Sequence, residues 1–123
     1  MTEEELQSKY PLVFPVQPDC GVSFPVGWSY LLDKLCGLIQ FHLEHNAKDL
    51  QGEFQVEQIK VKFSSLRFYI SGGDQYIRGA IALAEYMSRE LCTVCGKPGA
   101  AVGDWGQTFC KEGSCGTKDT NSG

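Results

Sequence analysis

The sequence predicts an α+β fold: a small antiparallel sheet, built as a β-hairpin, packed by two helices and followed by a cysteine-rich C-terminal ribbon. Three observations predict it. Apolar residues recur at three- and four-residue spacing over residues 28–48 and again after Asp74, the spacing of amphipathic helices. Between them, residues 54–71 alternate in steps of two, as strands do. Beyond them, four of the six cysteines cluster between residues 92 and 115.

The 123 residues, 42% hydrophobic and 21% charged, suit one domain over 1–123. A chain of this size buries roughly two-thirds of its surface, enough for one modest core. The expected parts are a packed proline-rich arm over 1–27, a helix–hairpin–helix core over 28–91, a ribbon over 92–116 and a disordered tail over 117–123. No apolar run approaches the ~18–20 residues of a bilayer span. The start, "MTEEEL", is acidic and unlike a secretory leader. The expectation is a cytoplasmic protein.

The arm, "YPLVFPVQPDCGVSFPVGW", holds Pro11, Pro15, Pro18 and Pro25. Each lacks an N–H and restricts its neighbour, which excludes a helix interior. The stretch is too apolar for a free linker, so Leu12, Val13, Phe14, Val16 and Phe24 are expected to pack on the body. The first core helix places Trp28, Leu31, Leu32, Leu35, Leu38, Ile39 and Leu43 on one stripe. Gly37 weakens it by ~1 kcal/mol relative to alanine, so a close contact is its expected reason.

In the hairpin, taking Ser64–Ser65 as the turn pairs Phe63 with Leu66, Val61 with Phe68 and Ile59 with Ile70, all apolar and on one face. The alternation slips between Val56 and Ile59. Ser-Ser supplies no glycine for the positive φ of a tight hairpin turn, so a wider or strained turn is expected. Asp74 then caps a helix running to about Leu91, with Ile77, Ala80, Ile81, Ala84, Met87 and Leu91 on its stripe and Glu85–Arg89 as an outer i,i+4 pair.

The ribbon "CTVCGKPGAAVGDWGQTFCKEGSCG" spaces Cys92, Cys95, Cys110 and Cys115 as C-x2-C-x14-C-x4-C. Two thiolate pairs separated by a loop suit a tetrahedral Zn²⁺ site, and four thiolates leave no open position, so the zinc is expected to be structural. This makes the element a zinc ribbon. Two disulfides are the competing reading, disfavoured in a cytosolic chain. Cys115 has the looser spacing. Cys20 and Cys36 read as buried free thiols.

The formal net charge is −4, which speaks against a partner of polymeric nucleic acid, and nothing suggests a membrane. Charge is uneven, however. Residues 1–53 carry eight acids and three bases, residues 54–91 four acids and five bases, and residues 92–123 three of each. An anion site therefore belongs in the middle third. The hairpin's second face supplies one. The expected register sets Lys62 opposite Arg67, Lys60 opposite Tyr69 and Gln58 opposite Ser71. Like charges facing each other cost a few tenths of a kcal/mol. One reading is a solvated face with long stems packed and heads in water. The other is an anionic ligand between Lys60, Lys62, Arg67 and Tyr69, arginine gripping phosphate bidentately and lysine adding a point charge. Loop "SGGD" and the helix start with Tyr76 and Arg78 would add backbone donors. Trp28, Tyr30 or Tyr76 would stack a base. His42 and His45, three apart on a helix, read as a structural pair. No nucleophile motif, Walker loop or H-E-x-x-H is present.

Three stretches, "GWSYLLDKLCGLI", "IKVKFSSLRFYISGG" and "CTVCGKPG" with a later cysteine, resemble a widespread group of small phage and bacterial proteins, over roughly residues 10–115. In that group the hairpin reads K-x-K-F-G-x-L-R-F-Y, and a C-x-x-C-G motif leads a zinc site ending in cysteine and histidine. Here Ser64 stands for the turn glycine, and "CKEGSC" has no histidine, so Cys115 must stand in. By type rather than motif, the chain also resembles phage anti-defence (anti-CBASS-like) sponges. That likeness implies a non-enzymatic, homo-oligomeric binder sequestering a small anionic nucleotide signal, such as a cyclic dinucleotide, in the host bacterial cytosol. Two alternatives stand beside it. One is a zinc-ribbon interaction module docking on a host protein through Trp105 and Phe109. The other is a metal-dependent nuclease or phosphodiesterase using His42 and His45.

Overall fold

The computed structural model describes residues 1–102 and 107–110, with side chains through Gly99. The fold is α+β. In chain order come α1 (Glu3–Lys9), α2 (Ser29–His45), β1 (Gln55–Lys62), β2 (Ser65–Ser71), α3 (Gln75–Ser88), β3 (Gly99–Val102) and β4 (Gln107–Cys110). The strands form two antiparallel pairs, β1–β2 and β3–β4. No helix among the described residues is long and apolar enough to cross a membrane.

The arm opens with a helix that the proline pattern does not announce. Thr2 caps α1 by a reciprocal box: its hydroxyl accepts from Glu5 N–H, and the Glu5 carboxylate accepts from Thr2 N–H. Behind α1, Leu6, Val13, Phe14 and Phe24 are buried, whereas Val16 is exposed. The arm then joins the sheet. Ser23 N–H donates to Ile59 C=O and Ile59 N–H to Gly21 C=O, a parallel bridge along the free edge of β1. Glycine welds arm to ribbon: a Cβ on Gly27 would overlap the Cys92 carbonyl, and Gly27 N–H donates to Thr93 C=O at 2.9 Å.

α2 buries Leu31, Leu32, Leu35, Ile39 and Leu43 as its spacing predicts, but Leu38 is exposed. Gly37 does have a close neighbour, the Tyr10 ring, whose hydroxyl would lie 3.3 Å from an added Cβ. Trp28, considered as a base-stacking residue, is fully buried at the start of α2 and belongs to the core. Cys36 is buried, and burial pushes its thiol pKa well up. Cys20 is exposed, contrary to expectation.

The hairpin differs from expectation in register. The pairs are Lys62–Ser65, Val61–Leu66, Lys60–Arg67, Ile59–Phe68 and Gln58–Tyr69, and after a bulge Val56–Ile70 and Gln55–Ser71. The turn residues are Phe63 and Ser64, with φ of 51° and 66°. Both positions of a tight hairpin turn take positive φ because that twist matches the strands. Phe63 is thus not paired with Leu66 but 65% exposed at the tip. The bulge falls at Glu57, where the alternation slips.

α3 starts where Asp74 caps it, Oδ1 accepting from Ile77 N–H at 2.9 Å. It closes the other sheet edge with side chains. Leu66 N–H donates to Ser88 Oγ at 2.8 Å and Phe68 N–H to Glu85 Oε2 at 2.9 Å. Glu85 is therefore committed to the strand, and Arg89 stacks its guanidinium over Tyr86 at 5.1 Å instead of forming the expected outer pair. Met87 is exposed rather than core. Residues 117–123, expected to form a tail, lie outside the described residues.

Candidate anion-binding site

The hairpin's second face is built by strand parity. Lys60, Lys62, Arg67 and Tyr69 alternate with Ile59, Val61, Leu66 and Phe68, of which Ile59, Leu66 and Phe68 are buried in the core while Val61, near the turn, is exposed. The expected Lys62–Arg67 opposition is corrected: Lys60 is the cross-strand partner of Arg67, Lys62 faces Ser65 beside the turn, and Tyr69 faces Gln58. The two-residue change leaves each side chain on its expected face, because side chains repeat every second residue.

Lys60 and Arg67, direct cross-strand neighbours, form the centre. The Lys60 ammonium also lies 5.9 Å from the Tyr69 ring centre, a diagonal contact that joins the third residue to the pair. The Lys62 ammonium sits 5.7 Å from the Phe63 ring, at the turn end. Arg67 Nε is buried and has no hydrogen-bond partner among the described residues. Within that set, no carboxylate forms an ion pair with Lys60, Lys62, Arg67 or Arg78.

The helix-start residues divide. Arg78 shares a groove of about 270 Å³ with Tyr69, Phe68 and Ile81. Glu85 lines the same groove and its charge opposes an anion there, so the cationic centre is the Lys60–Arg67 pair. Tyr76 is not part of this face. It stacks on His42, ring centres 4.2 Å apart and 12° from parallel. The "SGGD" loop does not offer a vacant helix N-terminus either: the Asp74 carboxylate already occupies it. Gly72 in that loop has φ +77°, and a Cβ there would strike the Glu53 carbonyl.

His42 and His45 do not converge. His42 is buried and its Nε2 lies 2.8 Å from Asp74 Oδ2, tying the end of α2 to the start of α3. That contact, with the Ile77 N–H bond second, holds the Asp74 carboxyl below the usual range. His45 is exposed, against Phe41 and Glu44. Sequence reasoning missed this His–Asp tie, because nothing in the spacing of residues 42 and 74 signals it. Among the described residues no group of three His, Cys, Asp or Glu side chains could hold a metal.

Of the ribbon cysteines, Cys92 and Cys95 form a tight knuckle. Val94 N–H points to Cys92 Sγ at 3.4 Å, Gly96 N–H donates to Cys92 C=O, and Cys92 N–H donates to Lys97 C=O. Gly96 takes φ +82°, which lets the chain fold back behind the thiols. The β3–β4 register sets the Cys110 backbone across from Gly99, three residues past the knuckle glycine. Cys115 and Trp105, and the side chain of Phe109, lie outside the described residues. No protein-family model, curated protein or solved structure matches this chain.

Proposed function

We propose that the protein is a non-enzymatic binding protein whose hairpin face takes a small phosphate-bearing anion, a nucleotide signal such as a cyclic dinucleotide. The observation that carries the reading is the Lys60–Arg67 cross-strand pair, like charges set side by side with no acid paired to either among the described residues. A face selected for stability alone would hold an acid at one of the two positions. An anion between them removes the repulsion. It also gives Arg67 Nε a partner, by the bidentate geometry a guanidinium offers a phosphate. Tyr69 adds a hydroxyl and a ring edge. The likeness to phage nucleotide sponges points to the same ligand class and to sequestration in the host cytosol. Calorimetry against a panel of mono-, di- and cyclic nucleotides tests it. The expected result is saturable binding to one class of the panel. No heat with any nucleotide contradicts the reading.

We also propose that Cys92, Cys95, Cys110 and Cys115 hold one structural Zn²⁺. The knuckle supports it, since an N–H directed at Cys92 Sγ stabilises a thiolate in the form a metal needs. The metal would tie the ribbon's strands together and supply no chemistry to the hairpin face. Metal analysis should find one zinc per chain, and chelation should lower the melting temperature. Two disulfides and no zinc by mass spectrometry would refute it.

A further inference from the structure

Helix α3 is apolar on two sides. Ile77, Ile81 and Ala84 are buried against the core. The opposite ridge, Gly79, Ala82, Leu83 and Tyr86, follows the same three- and four-residue spacing and is exposed; its own residues are uncharged, and the Arg89 guanidinium lies over the Tyr86 ring at its C-terminal end. A ridge that faces only water is ordinarily polar. Gly79 sharpens the anomaly. A glycine within a helix costs about 1 kcal/mol relative to alanine, yet a Cβ placed there meets nothing within 4 Å. Among the described residues nothing around it calls for a glycine; a second backbone approaching from outside would.

Helix α2 continues the face. Tyr30, Leu38 and Phe41 are 75%, 41% and 56% exposed on one side of it. Between the helices runs a groove of about 750 Å³, with Leu35 and Leu38 on one wall and Leu83 and Met87 on the other. Exposed apolar surface of this extent marks an interaction site.

Charge selects the occupant. Among the described residues, Lys34 is the one charged residue lining the groove. Its ammonium lies over the Tyr30 ring at 5.4 Å and forms no ion pair among the described residues. Glu44 is exposed ten positions further along the same helix, one oxygen accepting from Gln40 Nε2 at 3.1 Å and the other 3.8 Å from His45 Nε2, at the surface where a lysine can reach it. Two copies of α2 packed antiparallel about residue 39 bring each Lys34 against the other copy's Glu44. The face is therefore complementary to itself, as a two-fold interface requires. Its size is of the right order. A helix of 17 residues is about 25 Å long, and two side by side are about 20 Å wide, on the order of 500 Å² in projection before side-chain relief, against ~800 Å² per partner in a standard interface.

We propose that α2 and α3 form a symmetric dimer interface with a second copy of this chain. The hairpin residues take no part, so the dimer and the anion site stand or fall separately. Sedimentation of the full-length protein at micromolar concentration tests it. The expected species has twice the 13.6 kDa of one chain. Leu83→Arg, at an exposed position, should give a monomer with an unchanged circular dichroism spectrum. Lys34→Glu should weaken the dimer about tenfold, two ion pairs turning repulsive, and Glu44→Lys in the same chain should restore it. A monomeric wild type, whose groove is then covered by other means, overturns the proposal. So does a dimer that survives Leu83→Arg, or a charge swap that fails to rescue.

Discussion

Phe63 and Ser64 show how far one residue's chemistry reaches. Both sit in the left-handed region, where residues other than glycine, asparagine and aspartate are strained by about 1–2 kcal/mol. The absent glycine hid the turn, so the expected turn fell one position late. The faces were still legible, because moving the turn by one residue shifts the pairing by two and preserves parity. Phe63→Asn, at an exposed site, should therefore raise stability by about 0.5–1 kcal/mol in a denaturant titration; a decrease would show that the tip aromatic is engaged. Gly72→Ala should do the reverse. It meets both a positive φ and the Glu53 carbonyl, and the loss should be about 2 kcal/mol or more. Tyr76 and His42 mark the limit of sequence reading at this scale. Their stacking depends on how α2 and α3 meet, which no local pattern encodes.

At the scale of elements, the helices and strands were readable where one periodicity ruled, and misread where two roles competed. α2 and α3 stood out through their buried stripes, but the same stripe logic drew Leu38 and Met87 into the core. Both are exposed, on the side that α2 and α3 share. α1 was hidden behind the proline-rich arm although T-x-x-E at its start is a capping signature. Glu85 has the spacing of a helix pair with Arg89, yet the open edge of β2 competes for it. That edge is closed by Ser88 and Glu85 together. Ser88→Ala leaves the Leu66 N–H buried without its acceptor, and unfolding free energy should fall by about 1–3 kcal/mol. An unchanged value would mean the edge is satisfied by other means.

Across the whole molecule, two carboxylates clasp distant segments. Asp33 accepts from Tyr10 Oη at 2.6 Å and from Lys9 Nζ at 2.9 Å, holding the arm to α2. The Tyr10 bond, then the Lys9 bond, holds its carboxyl below the usual range. Asp74 is lowered by His42 in the same way. A group with a depressed folded pKa binds fewer protons folded than unfolded. Its contribution is therefore complete above the unfolded carboxylate pKa of ~4 and is lost as pH falls through the folded value. Stability should decline steadily below about pH 4. Asp33→Asn and Asp74→Asn should each flatten that decline, asparagine still serving as the N-cap. An acid limb unchanged in both variants would show that these clasps are not its source.

For the hairpin's basic face the deciding experiment is titration of wild type and Arg67→Ala with the nucleotide that binds, followed by chromatography of the recovered ligand. The substitution should weaken affinity about tenfold or more, the scale of a charge-assisted bidentate contact, and the ligand should return intact. Unchanged affinity in Arg67→Ala would contradict the placement of the site, and recovery of hydrolysed product would contradict sequestration.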